Sequence, residues 1–557
     1  MDVPTRVTPR PGDTRVLLDG GGLTLPALVR LADATAVPAV DPGALDRVAR
    51  ARETADRLAA TGRWYGRGTG VGAHRSVAVD PADETAHGLR LLRSHAGGAG
   101  PLLPARQVRA MLAVRANQLL AAGSGIHPSF VTALTDALRL GVHPAVNRYG
   151  AVGTGDLTAL AQTALTLLGE RPWLTAGNTP PLRSRTGADP DGTAPVDAVP
   201  AEPRTAASGE HIRGELPAPV VLRAGDALAL LSSNALALAQ AALAAHEAEL
   251  LLRATHAVTA LSLAVVSGSP EAYAAPVHAL RPYPGPARAA AEVRRLLGLP
   301  DQPTAPGPDG LGAADEPGPD RPGNAGPGGA DRPGRSRRIQ DPYGFRAFPQ
   351  VHGAALDASA ALRRIVEVEI NCPSENPVLT PDGHLYHHGG FFAAPLALAL
   401  DGLNLALLKT AQLSAARLSA LSRPDLTGLP AFLATGPAGS SGTMILEYTA
   451  NSALAELRSN AAAPASAGHA VLSHGLEEAA GFAGQAARQT ERAGAAYATL
   501  LACELVAAVR ALRLHPVPPP VPALTLAASA LPAALEDRPL TGDITIATEL
   551  LPRLAEL

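Results

Sequence analysis

The chain has 557 residues, a formal net charge of -3, 46% hydrophobic residues and 17% charged residues. A near-neutral surface gives no electrostatic basis for binding nucleic acid or an anionic membrane. Two cysteines, Cys372 and Cys503, are too few for a disulfide framework or a cysteine-rich metal site, and a reducing, cytoplasmic compartment is expected.

Aromatics are only 3% of the chain, and Ala and Leu supply most of the apolar mass. Those are strong helix formers, so a mainly α fold is expected. The first residues, Met1 to Arg6, lack a charged-then-apolar signal pattern. Residues 1–110 are expected to form a smaller mixed region, with short apolar runs at Val16-Leu17-Leu18 and Val77-Ala78-Val79 between glycine-rich turns. The rest, 111–557, is expected to be a core of long bundled helices. Apolar residues recur at helical spacing over 226–265, 354–371, 393–422, 441–463 and 476–513. Pro424 and Pro430 close one of these stretches, and Pro516 to Pro522 the last. His246, Glu247 and Glu249 interrupt one apolar run, and Asp401 and Lys409 another, so both read as buried helices and not as membrane spans. Residues 174–224 and 299–337 are rich in Pro and Gly without sustained periodicity. Such segments bury too little apolar surface to offset their ordering entropy and are expected to be disordered insertions.

Several motifs could carry chemistry. Gly66-Arg67-Gly68-Thr69-Gly70-Val71-Gly72 has the glycines of a phosphate loop, but Ala73 stands where a dinucleotide fingerprint needs a third glycine. Its better reading is a flexible loop that presents Tyr65. His387-His388 are adjacent, so they diverge on a strand and on a helix alike, and no metal site is expected. In Gln340-Asp341-Pro342-Tyr343-Gly344-Phe345-Arg346, Tyr343 and Arg346 would share one helical face. Arg346 could grip a carboxylate with its fork and Tyr343 could move a proton, or the segment could be a capped helix start with a solvated arginine.

Taken in order, these blocks resemble the aromatic amino acid lyase family of histidine, phenylalanine and tyrosine ammonia-lyases and aminomutases. Tyr65 to Gly72, Ser94-His95-Ala96-Gly97, Asn117 to Ile126, Gln340 to Arg346, Pro349 to Gly353, Ser374-Glu375-Asn376-Pro377 and Ser441 to Met444 each resemble a family block. The resemblance runs from about residue 15 to the C-terminus outside the two insertions. It implies a homotetramer of long helices with each active site assembled from three subunits. It also implies elimination of ammonia from a small amino acid, with no external cofactor. The family's electrophile, methylidene-imidazolone, is made from Ala-Ser-Gly. Carried over by resemblance, Tyr65 and Tyr343 are the catalytic tyrosines and Arg346 holds the carboxylate. His95, Ser232, Gln340 and Glu477 line the substrate pocket. Gly153, Thr154 and Gly155 occupy the electrophile loop.

The electrophile loop departs from the pattern. Gly150-Ala151-Val152-Gly153-Thr154-Gly155-Asp156-Leu157 either supplies Gly-Thr-Gly as the triad or lacks one residue. A ring built from it would carry an extra methyl. Ser232 stands where the family has an asparagine that supports the ring, with Asn234 two residues on. Glu375 replaces an aspartate, and Phe391-Phe392 bring apolar groups into a polar segment. The expected activity is histidine- or tyrosine-type α,β-elimination, with or without the imidazolone. The alternatives are an aminomutase or other biosynthetic enzyme on the same fold, and a non-catalytic homologue.

Overall fold

A computed structural model describes residues 14–175, 215–302, 339–516 and 521–557. The expected insertions fall largely on 176–214 and 303–338, outside the described residues. The protein is mainly helical, as the Ala- and Leu-rich composition requires, and its chain divides into two units. Unit 1 comprises residues 1–243, 365–394 and 468–484, and unit 2 comprises 244–364, 395–467 and 485–557.

Unit 1 opens with a parallel pair of short strands, Arg15–Leu18 and Val37–Val40, joined through helix Leu25–Ala32. Thr24 caps that helix by accepting from Ala27 N, and Pro26 sits in its first turn, where no backbone donor is lost. Helix Ala105–Leu120 is the centre of the unit. From Val108 to Leu120 every residue is buried, so its apolar side chains each contribute roughly 1.5–3 kcal/mol.

Four polar residues on that helix must be satisfied inside the core, and Arg109 donates to Leu31 O at 2.9 Å and Ala32 O at 3.2 Å. Asn117 accepts from Gly20 N at 3.0 Å and donates to Ile370 O at 2.8 Å. Gln118 donates to Glu369 O at 3.1 Å and accepts from Ser233 Oγ at 2.7 Å. Arg115, 1% exposed, pairs with Glu375 at 2.8 Å and donates to Leu230 O at 3.1 Å and to Ala229 O. One helix therefore places residues 229–233 and 369–375.

In unit 2 the long helices are Ala235–Val265, whose later part belongs here, Phe348–Glu369, Ala394–Leu421, Met444–Ala462 and Ala483–Leu514. Buried polar groups fix their register. His352 donates from Nε2 to Leu252 O at 3.0 Å and accepts from Thr410 at Nδ1 at 2.8 Å. Burial, reinforced by the nearby His256, holds its pKa well below the usual range, which agrees with a neutral ring. Arg417 and Glu504 are both fully buried and meet at 2.6 Å.

Among the described residues three helices are long and apolar enough to cross a membrane: Asp226–Val265, Ala394–Leu421 and Ala483–Leu514. Their most apolar stretches are 100%, 50% and 78% buried inside the protein. The first is interrupted at Ser232-Ser233-Asn234, so the expected 226–265 helix is two helices, Asp226–Leu231 and Ala235–Val265. The expected 476–513 helix begins only at Ala483. Before it, Leu472 bridges Glu477, and Ser473, His474 and Phe482 have positive φ, which no helix accommodates.

Removing one partner of the Arg115–Glu375 pair strands a buried charge. Arg115→Met is expected to cost about 3–5 kcal/mol, and Arg115→Met with Glu375→Leu to recover most of it. Urea unfolding of the single and double variants measures this.

Candidate active site

Within unit 1, Tyr65 sits in a tight turn closed by a bridge between Trp64 and Arg67. Thr69 stitches the turn by accepting from Gly66 N at 3.1 Å and donating to Trp64 O at 3.1 Å. Arg67 anchors it to Asp56 at 2.7 Å. The half-buried Tyr65 hydroxyl accepts from Gly72 N at 2.8 Å, and Tyr65 N donates to His387 Nε2 at 3.4 Å. Burial raises the Tyr65 pKa above the ordinary phenol value, the Gly72 hydrogen bond opposes this, and the negative charge of Glu477 adds to the rise. As arranged, Tyr65 is protonated at neutral pH. This loop therefore does not behave as a phosphate cradle; it presents a phenol near a carboxylate.

Glu477 lies on the segment 472–482, where its backbone pairs with Leu472. The same segment reaches the loop 150–157, because Phe482 N donates to Val152 O at 2.9 Å. In that loop Gly153 and Gly155 have φ of +93° and +109°. A Cβ at Gly153 would lie 2.5 Å from Phe482 N, so a side chain there is excluded by sterics as well as by φ. Asp156 locks the end of the loop onto the next helix. Its N donates to Ser233 O at 2.7 Å and its carboxylate accepts from Ala237 N at 2.8 Å.

Ser232 accepts from Asn376 N at 2.9 Å, so its hydroxyl oxygen serves the 374–377 turn. Asn234 is 2% exposed, and neither its Oδ1 nor its Nδ2 has a hydrogen-bond partner among the described residues. A cavity of about 30 Å³ behind the Tyr65 loop is lined by Trp64, Tyr65, Ser124, Leu228, Ser232 and Glu375, among others. His388 is fully engaged, with Nε2 on Glu375 O at 2.6 Å and Nδ1 accepting from Gly390 N at 2.9 Å. No group of three or more His, Cys, Asp or Glu side chains that could hold a metal occurs among the described residues. His95 ends helix Glu84–His95, and its Nδ1 is 2.9 Å from Leu91 O. A carbonyl can only accept, so Nδ1 is the donor in this contact.

The other predicted residues lie in unit 2. Gln340 is exposed. Tyr343 and Arg346 occupy one short helix, with Tyr343 67% exposed and the Arg346 guanidinium 4.2 Å from the centre of its ring. Arg346 Nε donates to Asp341 O at 2.9 Å, while its two terminal nitrogens have no hydrogen-bond partner among the described residues. Such a fork suits a carboxylate.

The profile of the aromatic amino acid lyase family matches residues 23–533. The chain belongs to that family. A histidine ammonia-lyase of Anaeromyxobacter dehalogenans is 33% identical over 543 residues, covering 96% of this chain and 98% of the relative. The solved histidine ammonia-lyase of Trypanosoma cruzi superposes with a TM-score of 0.79 at 26% identity, covering 97% and 95% of the two chains. The tyrosine aminomutase of Streptomyces globisporus does so with a TM-score of 0.81 at 26% identity, covering 97% of each. As an aromatic amino acid lyase, the protein is a carbon–nitrogen lyase of ammonia-lyase-like function.

The family uses an autocatalytic methylidene-imidazolone and no external cofactor. Such a ring needs a carbonyl from the first of three residues, a β-hydroxyl from the second and an amide nitrogen from the third. Gly153, Thr154 and Gly155 offer those groups in order, but the setting does not match Ala-Ser-Gly. An alanine in place of Gly153 has no room, and Ser232 is directed to Asn376. The orphaned Asn234 amide follows Ser233, whose carbonyl accepts from Asp156 N at the end of the loop. Sequence reasoning passed over His387 as a failed metal ligand and missed its contact with the Tyr65 backbone. The pairing of Arg115 with Glu375, 260 residues apart, carries no local signal.

Two outcomes are expected. Gly153→Ala should cost about 1–3 kcal/mol from strain and collision, seen as a lowered melting temperature. Glu477→Gln should lower the Tyr65 pKa towards the ordinary phenol value, while burial continues to oppose ionisation. The phenolate absorbance of wild type minus Tyr65→Phe, with and without Glu477→Gln, reads it directly.

Proposed function

We propose that this chain catalyses α,β-elimination of the α-nitrogen from a histidine- or tyrosine-type amino acid, giving an unsaturated acid. The observation that carries this reading is the Tyr65 phenol within the electrostatic reach of Glu477, whose segment is pinned to residues 150–157 by Phe482 N on Val152 O. Arg346, with its terminal nitrogens unoccupied, grips the substrate carboxylate. His95 and Glu477 sort the side chain, an imidazole or phenol finding a ring nitrogen and a carboxylate there.

Proton transfer falls to Tyr65, or to Tyr343 beside its guanidinium. A cationic substrate nitrogen next to Tyr65 opposes the effect of Glu477 and eases release of the phenol proton to water, after which the phenolate takes the β-proton as the Cα–N bond breaks and the amine departs. Gln340 and Ser232 serve as outer pocket groups. Function in a homotetramer follows from the family resemblance, with Tyr343 and Arg346 of one subunit completing the Tyr65 site of another. Exposed Leu398, Leu405, Ile445 and Tyr448 on the unit 2 helices support an apolar interface between subunits. The unpaired thiols Cys372 and Cys503 accord with a reducing cytoplasm.

We also propose that the imidazolone is not formed here. The substituted loop, the excluded side chain at Gly153 and the redirected Ser232 support this. An elimination without that electrophile demands a nitrogen that leaves readily, and a quaternary ammonium is the direct case.

The mass of the intact protein is expected to equal the sequence mass. A loss of two waters with a borohydride-sensitive near-UV band would show that the ring forms. Offered histidine, tyrosine and their N,N,N-trimethyl derivatives, the enzyme should release conjugated acid, with the trimethylated forms turning over faster. Absence of conjugated acid from all four would leave the non-catalytic reading in place.

A further inference from the structure

The helix that carries Tyr343 and Arg346 has four residues, too few to hold itself by its own hydrogen bonds. Its backbone is instead held from outside, entirely within unit 2. Arg417 Nη1 donates to Gly344 O at 3.2 Å, and the Tyr273 hydroxyl donates to Phe345 O at 2.7 Å. Both donors are themselves fully buried. Gly344 packs against Arg417 so closely that a Cβ would lie 3.1 Å from Arg417 Cγ.

Arg417 is fixed in turn. Glu504 takes its Nε and Nη2 at 2.6 and 2.9 Å, and the remaining acceptor capacity of Glu504 is filled by Ser262 at 2.7 Å and by Ser414. A buried ion pair of this kind is no more stabilising than a well-packed apolar pair of the same volume. What an apolar pair could not supply is a donor aimed at the Gly344 carbonyl.

We infer that Arg417 and Glu504, with Tyr273, are positioning residues that set the direction of the Arg346 fork. The inference rests on the reading of Arg346 as the carboxylate-binding residue. The Arg346 Nε is spent on Asp341 O and its guanidinium lies over Tyr343, so the aim of the two free terminal nitrogens follows the backbone of 341–346. That backbone follows Arg417. The substrate carboxylate is bound alike in ground and transition states, so loosening the fork acts on substrate affinity before turnover.

The test compares ligands that differ only in the carboxylate: histidine against histamine and tyrosine against tyramine, titrated by calorimetry. Three proteins are compared with wild type: Arg417→Met with Glu504→Met, Tyr273→Phe, and Arg346→Ala. Arg346→Ala should abolish the preference for the carboxylate-bearing ligand. The double variant should cut it by about tenfold and Tyr273→Phe by about threefold, with histamine and tyramine affinities within about twofold of wild type. A merely structural role would instead weaken both members of each pair and lower the melting temperature. If Arg346→Ala loses the preference while the double variant and Tyr273→Phe keep it, the positioning role is overturned. If Arg346→Ala keeps it, the carboxylate assignment itself is wrong. Should the double variant fail to fold, Tyr273→Phe, which deletes a single hydroxyl, decides alone.

Discussion

A guanidinium in the middle of an apolar helix is the constraint from which unit 1 takes its shape. Arg115 cannot remain charged in the core without neutralisation, and burial does pull its pKa down while Glu375 opposes the fall. It meets that demand with two carbonyls from 229–230 and one carboxylate from 375. Gln118, one turn on, takes Ser233 and the Glu369 carbonyl. The chain segments bearing Ser232, Asn234 and Asn376 thus have their positions dictated from beneath, and the site is built on a rigid floor. Unit 2 repeats the device with Arg417 and Glu504 beneath Tyr343 and Arg346.

The walls of the site obey a different physics. The Tyr65 turn, residues 150–157 and residues 472–482 are irregular backbone with many positive φ values. They are held by local hydrogen bonds, by the Arg67–Asp56 ion pair and by the close packing of Gly153 on Phe482, not by helix or sheet ladders. Their electrostatics follow from which side chains these bonds bring together. Glu477 acts on the Tyr65 phenol although its own segment is anchored at the opposite end, by Phe482 on Val152.

Much of the scaffold could be read from residues alone. Ala and Leu at helical spacing mark Ala394–Leu421 and Met444–Ala462 to within a few positions, because intrinsic propensity and burial agree there. The separation of Asp226–Leu231 from Ala235–Val265 escapes such reading, since Ser232-Ser233-Asn234 is polar but not prohibitive for a helix. The late start at Ala483 escapes for a similar reason. Ser473, His474 and Phe482 adopt left-handed backbone that no side chain announces. Of the site, the tyrosines and Arg346 are legible as motif residues. The protonated state of Tyr65 is not, because it depends on burial and on a carboxylate distant in sequence. The partnerships of Arg115 with Glu375 and of Arg417 with Glu504 likewise exist only in three dimensions.

The backbone bond from Phe482 to Val152 has an evolutionary corollary. It couples the loop at 150–157 mechanically to the strip carrying Glu477, so a change in the length or conformation of one bears directly on the other. Grafting an Ala-Ser-Gly loop from a relative into this protein would therefore require its matching 472–482 partner.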